Sequence, residues 1–311
     1  MKWILIVIAV IIIIFIILAL VYYKPFKGFF SRKDIDSDFS KAPENFKGYI
    51  KQYQESLPWL SRQSKEELII KSRDHLKLKG ELFRLNPGTK KVVLAMHGYH
   101  GGGEYDMSRF VRFYKDNGYD CLIISQRTHE LSEGKYIGFG YLEQFDGILW
   151  CQKIIELYGQ DVRIVLHGVS MGGATVDLMS GNPQLPSQVK MVISDCAYDS
   201  MLNEVQVILK DMPGFAKKVT VFFLSFWCKL LAHYDIKKAS PIEAVKKSKI
   251  PTIFIHGASD DFVPTVMVNE LYSNCNAPKW LFVVPGAGHA SSYVRQPDEY
   301  EKVIKDFWTK Y

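Results

Sequence analysis

The sequence predicts an α/β protein: a doubly wound, mostly parallel sheet with helices on both faces. Three observations carry the prediction. From about residue 90 onward, short apolar runs alternate with segments of helical length, the pattern of parallel strands joined by crossover helices. One such run, residues 162–166, meets Gly168-Val169-Ser170-Met171-Gly172, and a helix-like stretch follows at once. That spacing suits a serine on a very sharp strand-to-helix turn, where small residues two before and two after it let strand and helix pass. Finally, of the 311 residues, about 280 follow an N-terminal apolar run, enough for one domain with a large core.

The apolar run covers residues 3–23, uncharged and rich in isoleucine. It is long enough to cross a bilayer core of about 30 Å as a helix. No small-residue cleavage signal closes it, so residues 1–23 read as a retained single-pass anchor in a cell membrane. Lys24, Lys27, Arg32 and Lys33 follow it and only Lys2 precedes it. Charge counting would keep the following domain on the cytoplasmic side. Residues 24–67, with Pro25, Pro43 and Pro58, read as a stalk and a lead-in whose Tyr49, Tyr53 and Trp59 touch the domain.

Residues 68–85 alternate around Asp74-His75 as a hairpin. Strands are expected at 92–96, 121–124, 162–166, 189–194, 251–255 and 280–284, and helices at 105–115, 142–158, 174–180, 263–271 and 296–311. A loop over 126–140 leaves a strand's carboxyl end, where loops commonly line sites. The alternation breaks at about 200–235, a very apolar, helix-rich stretch divided by Met212-Pro213-Gly214. We read it as a helical lid whose apolar wall could face an acyl chain. Outer helices packed on the sheet, or a surface touching the membrane, are the competing readings.

The net charge of +6 comes from interspersed acids and bases, a mildly basic surface compatible with anionic lipid headgroups. No arginine-rich block or aromatic ladder points to nucleic acid. The five cysteines, Cys121, Cys151, Cys196, Cys228 and Cys275, are scattered and lack a C-x-x-C pair, so neither a disulfide framework nor a zinc site is expected.

A serine needs a base to take its proton, and the base needs an acid to orient it. In chain order after Ser170, the strand at 251–255 ends in His256-Gly257-Ala258-Ser259-Asp260-Asp261-Phe262-Val263-Pro264, and the last strand leaves into Pro285-Gly286-Ala287-Gly288-His289. His289 is therefore the expected base and Asp260 the preferred acid, with Asp261 as the fallback and Asp195 or Asp199 as further alternatives. The oxyanion donors are expected at the amides of Met171, opening the helix, and Tyr99, in His97-Gly98-Tyr99-His100-Gly101-Gly102-Gly103. His97, His167 and His256 each end a strand before glycine and read as hydrogen-bonded supports. His97-x-x-His100 lacks carboxylate company for a metal. Glu104 and Arg127 fall near the expected mouth, where surface charge is the simpler reading.

Taken together, His97-Gly98-Tyr99, Gly168-Val169-Ser170-Met171-Gly172-Gly173, Ser240-Pro241-Ile242, His256-Gly257 through Asp260, Val263-Pro264 and Gly288-His289 resemble the α/β-hydrolase superfamily. Within it, the chain is similar to single-pass, membrane-anchored serine hydrolases of low-GC Gram-positive bacteria, related to prolyl-oligopeptidase-like and esterase branches. The resemblance covers about residues 68–311. It implies an α/β-hydrolase fold and, against the charge count, a domain outside the cell. The triple glycine after His100 and the apolar insertion depart from the pattern. The function expected is a serine hydrolase cleaving carboxylic esters through an acyl-enzyme, with no metal or organic cofactor. Its partners would be a small-molecule ester or acyl substrate and, through residues 3–23, the lipid bilayer. A serine peptidase, an acyltransferase or a non-catalytic anchored binding module are the alternatives.

Overall fold

A computed structural model of the chain describes residues 2–33 and 47–311. Helix α1 (Lys2–Phe30) opens it and is long and apolar enough to cross a membrane. After α2 (Lys47–Leu60), strands β1 (Lys65–Lys71) and β2 (Lys77–Phe83) form the expected hairpin, with His75 at φ 69° in its turn. Then come β3 (Lys91–Met96), α3 (Gly103–Asp116), β4 (Asp120–Ile124), α4 (Glu143–Tyr158), β5 (Arg163–Val169), α5 (Met171–Ser180) and β6 (Val189–Asp195). The insertion follows as α6 (Met201–Ile208), α7 (Gly214–Trp227) and a π-helical turn, Cys228–Ala232. The chain closes with α8 (Pro241–Val245), β7 (Thr252–Gly257), α9 (Val266–Asn274), β8 (Lys279–Val284), α10 (Ser292–Arg295) and α11 (Pro297–Lys310).

The sheet has eight strands in the order β1-β2-β4-β3-β5-β6-β7-β8. β1 and β2 are antiparallel to their neighbours, and β3 through β8 run parallel. The period of two along a strand splits the core. On β3, Val93 and Ala95 join Phe110 and Tyr114 of α3 and Tyr300 and Ile304 of α11. Val92, Leu94 and Met96 face the other way, to Trp150 of α4 and Met179 of α5. Both faces are thereby covered, which is why the parallel strands read as unbroken apolar runs.

The stretch expected as a stalk begins differently. α1 continues through Pro25 to Phe30, and Phe26 and Phe30 are fully buried. They join a third apolar cluster with the insertion residues Met201, Val205 and Leu224. The spacing Phe15, Ala19, Tyr22, Phe26, Phe30 puts all five on one helix face. That face meets α7: Phe15 packs against Phe222, Phe223 and Phe226, Tyr22 stacks on Phe223, and Trp227 Nε1 donates to Ala19 O at 2.8 Å. The insertion is thus clasped by the N-terminal helix. Pro43 lies outside the described residues; Tyr49, Tyr53 and Trp59 do reach the domain through α2, with Tyr49 and Tyr53 against Tyr105 and Trp59 under Arg112.

Candidate active site

Ser170 sits between β5 and α5 with φ 57° and ψ −118°, a strained conformation for a residue with a Cβ. Its neighbours have no room for side chains. A Cβ on Gly168 would lie 2.0 Å from Gly172 O, and one on Gly172 would lie 2.1 Å from Met96 O. The turn is held from behind, where Ser170 N donates to Asp195 O at 2.8 Å. Strain stored at one residue is thus fixed by packing around it, and the hydroxyl is presented at the carboxyl edge of the sheet.

Two loops converge on that hydroxyl. His289 Nε2 lies 2.9 Å from Ser170 Oγ, and His289 Nδ1 lies 2.8 Å from Asp260 Oδ2. All three side chains are more than nine-tenths buried. Asp260 Oδ1 accepts from the amides of Phe262 and Val263 at 3.0 and 2.8 Å, and His256 Nε2 is 3.2 Å from Oδ2. Burial raises the Asp260 carboxyl, but hydrogen bonds from His256 and His289 outweigh it and hold the group well below the usual carboxylate range. An ionised carboxylate only accepts, so the His289 proton resides on Nδ1 and Nε2 is free to accept from the serine hydroxyl. Phe262 packs on the imidazole at 4.9 Å.

The loop after β3 passes beside Ser170: a Cβ on Gly98 would be 3.4 Å from Ser170 Cβ. The amides flanking Tyr99 are engaged, Gly98 N to Asp106 Oδ2 at 2.6 Å and His100 N to His129 Nε2 at 3.1 Å. Among the described residues the Tyr99 amide has no partner. Met171 is the first residue of α5, where amides have no acceptor inside the helix. Both residues border an apolar cavity of about 450 Å³ that opens onto Ser170.

The other acidic candidates are used elsewhere. Asp195 accepts from Tyr300 OH at 2.9 Å, and its burial pushes the carboxyl up to about 6. Asp199 holds Asn203 and Ser200 at the start of α6. Among the described residues, the carboxylate hydrogen-bonded to the His289 ring is that of Asp260 and not that of Asp261. Glu104 pairs with Lys65 and borders a separate cavity. Arg127 is buried, bound to Asp146 and Asp74, so it is an internal ion pair rather than a surface charge at the mouth. His97, His167 and His256 are supports. His97 accepts from Gln126 N at 2.9 Å and donates to Gly98 O at 2.8 Å, which leaves neither nitrogen for a metal.

Sequence reasoning missed three contributors. Asp106, gripped by Tyr49 OH, fixes the Tyr99 loop through Gly98. Glu204 on α6 borders the cavity, 4% exposed, with neither carboxylate oxygen hydrogen-bonded among the described residues. Burial, reinforced by Asp260 and Asp199, pushes it up to about 8. The third is α1 itself. Pro25, Gly28 and Phe29 line the cavity, and its last carbonyls are capped by the site: Tyr99 OH donates to Phe29 O at 2.9 Å and Ile137 N to Phe30 O at 2.7 Å. The aromatic spacing along α1 is the signal that could have pointed to it.

Comparison with known proteins agrees with this architecture. Residues 91–231 match the family model for the alpha/beta hydrolase fold. The uncharacterized protein YqkD of Bacillus subtilis (strain 168) is 26% identical over 203 residues, 64% of this chain, and the chain spans 65% of that protein's own length. An esterase of Pyrococcus furiosus superposes with a TM-score of 0.67 at 20% identity, covering 90% of this chain and 97% of the esterase. An acylaminoacyl peptidase of Pyrococcus horikoshii gives a TM-score of 0.59 at 16% identity, over 81% of this chain and 43% of the peptidase. With its mixed eight-stranded sheet and its strained serine turn between β5 and α5, the chain has the α/β-hydrolase fold.

Proposed function

We propose that the protein is a membrane-anchored serine hydrolase that cleaves carboxylic esters. The observation that carries this reading is the continuous relay from Ser170 Oγ through His289 to Asp260, at 2.9 and 2.8 Å. Ser170 Oγ attacks the ester carbonyl carbon while His289 Nε2 takes its proton. The carbonyl oxygen becomes an oxyanion held by the Tyr99 and Met171 amides, each such donor being worth roughly 3 kcal/mol. The intermediate collapses by breaking the bond to the alcohol oxygen, which leaves with the proton from His289. Water then attacks the acyl-serine by the same route, releasing the carboxylic acid and restoring Ser170. Asp260 keeps the imidazole in the right tautomer and stabilises its charged form.

An ester is favoured over a peptide by the cavity beside Ser170, whose walls include Phe29, Phe139, Met171, Met201 and Val263. These suit an acyl chain and offer little to a polar backbone. Anchoring is supported by the length and apolar surface of α1. Labelling with a fluorophosphonate probe tests the chemistry. The full chain reacts and Ser170→Ala does not; a protein that stays unlabelled and hydrolyses no ester in a chain-length panel is a binding module instead. Protease shaving of intact cells determines which side of the membrane the domain faces.

A further inference from the structure

The contacts between α1, α7 and the cavity bear on how substrate arrives. An α-helix rises about 1.5 Å per residue, so residues 3–23 span roughly one bilayer core and Phe15 lies within a few ångströms of its middle. α7 packs on Phe15 through Phe222, Phe223 and Phe226. α7 therefore packs along α1 from the middle of the apolar run to its C-terminal end, where Trp227 meets Tyr23 and Phe26. Its composition agrees: after Lys217 and Lys218 it carries no charge. Its hydroxyls are satisfied internally, Thr220 by Ala216 O at 2.9 Å and Ser225 by Val221 O at 2.7 Å, as a lipid environment demands. Phe215, Phe222 and Leu230 project outward at 82%, 56% and 51% exposure, an apolar surface unexplained in water but continuous with that of α1. Exposed Lys210 and Lys218 flank the start of α7, where ammonium groups suit headgroup phosphates. At the end of this contact, where Phe26 meets Trp227, the same α1 gives Pro25, Gly28 and Phe29 to the wall of the cavity over Ser170.

We propose that the substrate is a bilayer-resident ester whose acyl chain enters this cavity between α1 and α6, which gives Met201, Glu204 and Ile208 to its lining, so that the anchor forms one wall of the acyl site. This rests on the hydrolase reading above. Gly28 gives the test, because a Cβ there meets nothing within 4 Å, so a large side chain can fill the cavity without disturbing the helix. The full chain is reconstituted in phosphatidylcholine–phosphatidylglycerol vesicles and assayed on p-nitrophenyl acetate and p-nitrophenyl dodecanoate. A buried methylene is worth about fourfold in binding. Gly28→Trp should therefore lower the dodecanoate-to-acetate ratio of kcat/KM by roughly tenfold or more, with Gly28→Leu in between. Leu20→Trp, on the outward face of α1, should leave the ratio alone. In the same vesicles a cysteine at Phe222 should be shielded from maleimide, while one at exposed Lys237 reacts. An unchanged ratio in both Gly28 variants that still take the fluorophosphonate label overturns the proposal, as does a maleimide-reactive Phe222→Cys. A wild-type protein that neither labels nor hydrolyses acetate overturns the hydrolase reading instead.

Discussion

Glu204 gives the sharpest quantitative prediction. It is buried on α6 without a hydrogen-bond partner among the described residues, near Asp199 and Asp260. Its carboxyl is pushed from the ordinary 4.5 up to about 8, first by burial and then by those two acids. An acid whose folded pKa exceeds its unfolded one binds its proton more tightly when folded. Below pH 4.5 both states are protonated and the group is silent. Between 4.5 and 8 only the unfolded chain ionises, so stability falls as pH rises, by as much as about 1.36 kcal/mol per pH unit. Above 8 the folded form ionises too and the loss levels off, at no more than about 5 kcal/mol, with about 3 kcal/mol already lost at pH 7. Glu204→Gln has no proton to lose. In urea unfolding of the full chain in detergent, the stability of the variant minus that of the wild type should climb from pH 4.5 to 8 and then flatten. A difference that stays constant across that range would refute the burial argument. The same group has a consequence for substrate. Above pH 8 the wild type gains a charge in an apolar cavity, so the preference for long acyl chains proposed above should weaken there, and Glu204→Gln should keep it.

Other substitutions probe the relay and its supports. Asp260→Asn should lower kcat by roughly 10⁴-fold through loss of the correct imidazole tautomer, while Asp261→Asn stays near wild type in the same ester assay; equal losses would mean the wrong acid has been named. Gly172→Ala drives a methyl to within 2.1 Å of Met96 O, and thermal unfolding should register a loss of about 1–3 kcal/mol together with collapse of fluorophosphonate labelling. Tyr99→Phe removes the bond to Phe29 O but keeps the backbone amide. It should cost about 1 kcal/mol of stability and lower kcat more than it alters KM for acetate; an unaltered kcat would show that the Tyr99 loop is indifferent to α1.

Much of this was legible because chain order and local chemistry coincide. Strands buried on both faces leave unbroken apolar runs, and the serine turn needs glycines that announce it. Asp260 and His289 were readable as the third parties of an ordered set, each just past a strand. Arg127 was not: its partners Asp74 and Asp146 lie 53 and 19 residues away, and nothing local separates a buried guanidinium from an exposed one. Tyr49 and Asp106 are likewise joined only by the fold. The larger miss was α1. Its composition reads so strongly as that of a membrane helix that the one-faced spacing of its aromatic residues, and the two turns beyond Tyr23, read as a spacer.

The capping of α1 by Tyr99 and Ile137 has a practical consequence. Cutting away the first thirty residues is the usual way to make an anchored enzyme water-soluble. Here that cut would strip the ceiling from the cavity, leave the Tyr99 hydroxyl without its acceptor, and uncover Phe139, Phe223 and Trp227 together. A trimmed form would keep the sheet and the Ser170 turn yet report a chain-length selectivity belonging to a different surface, so substrate profiling belongs with the full-length polypeptide.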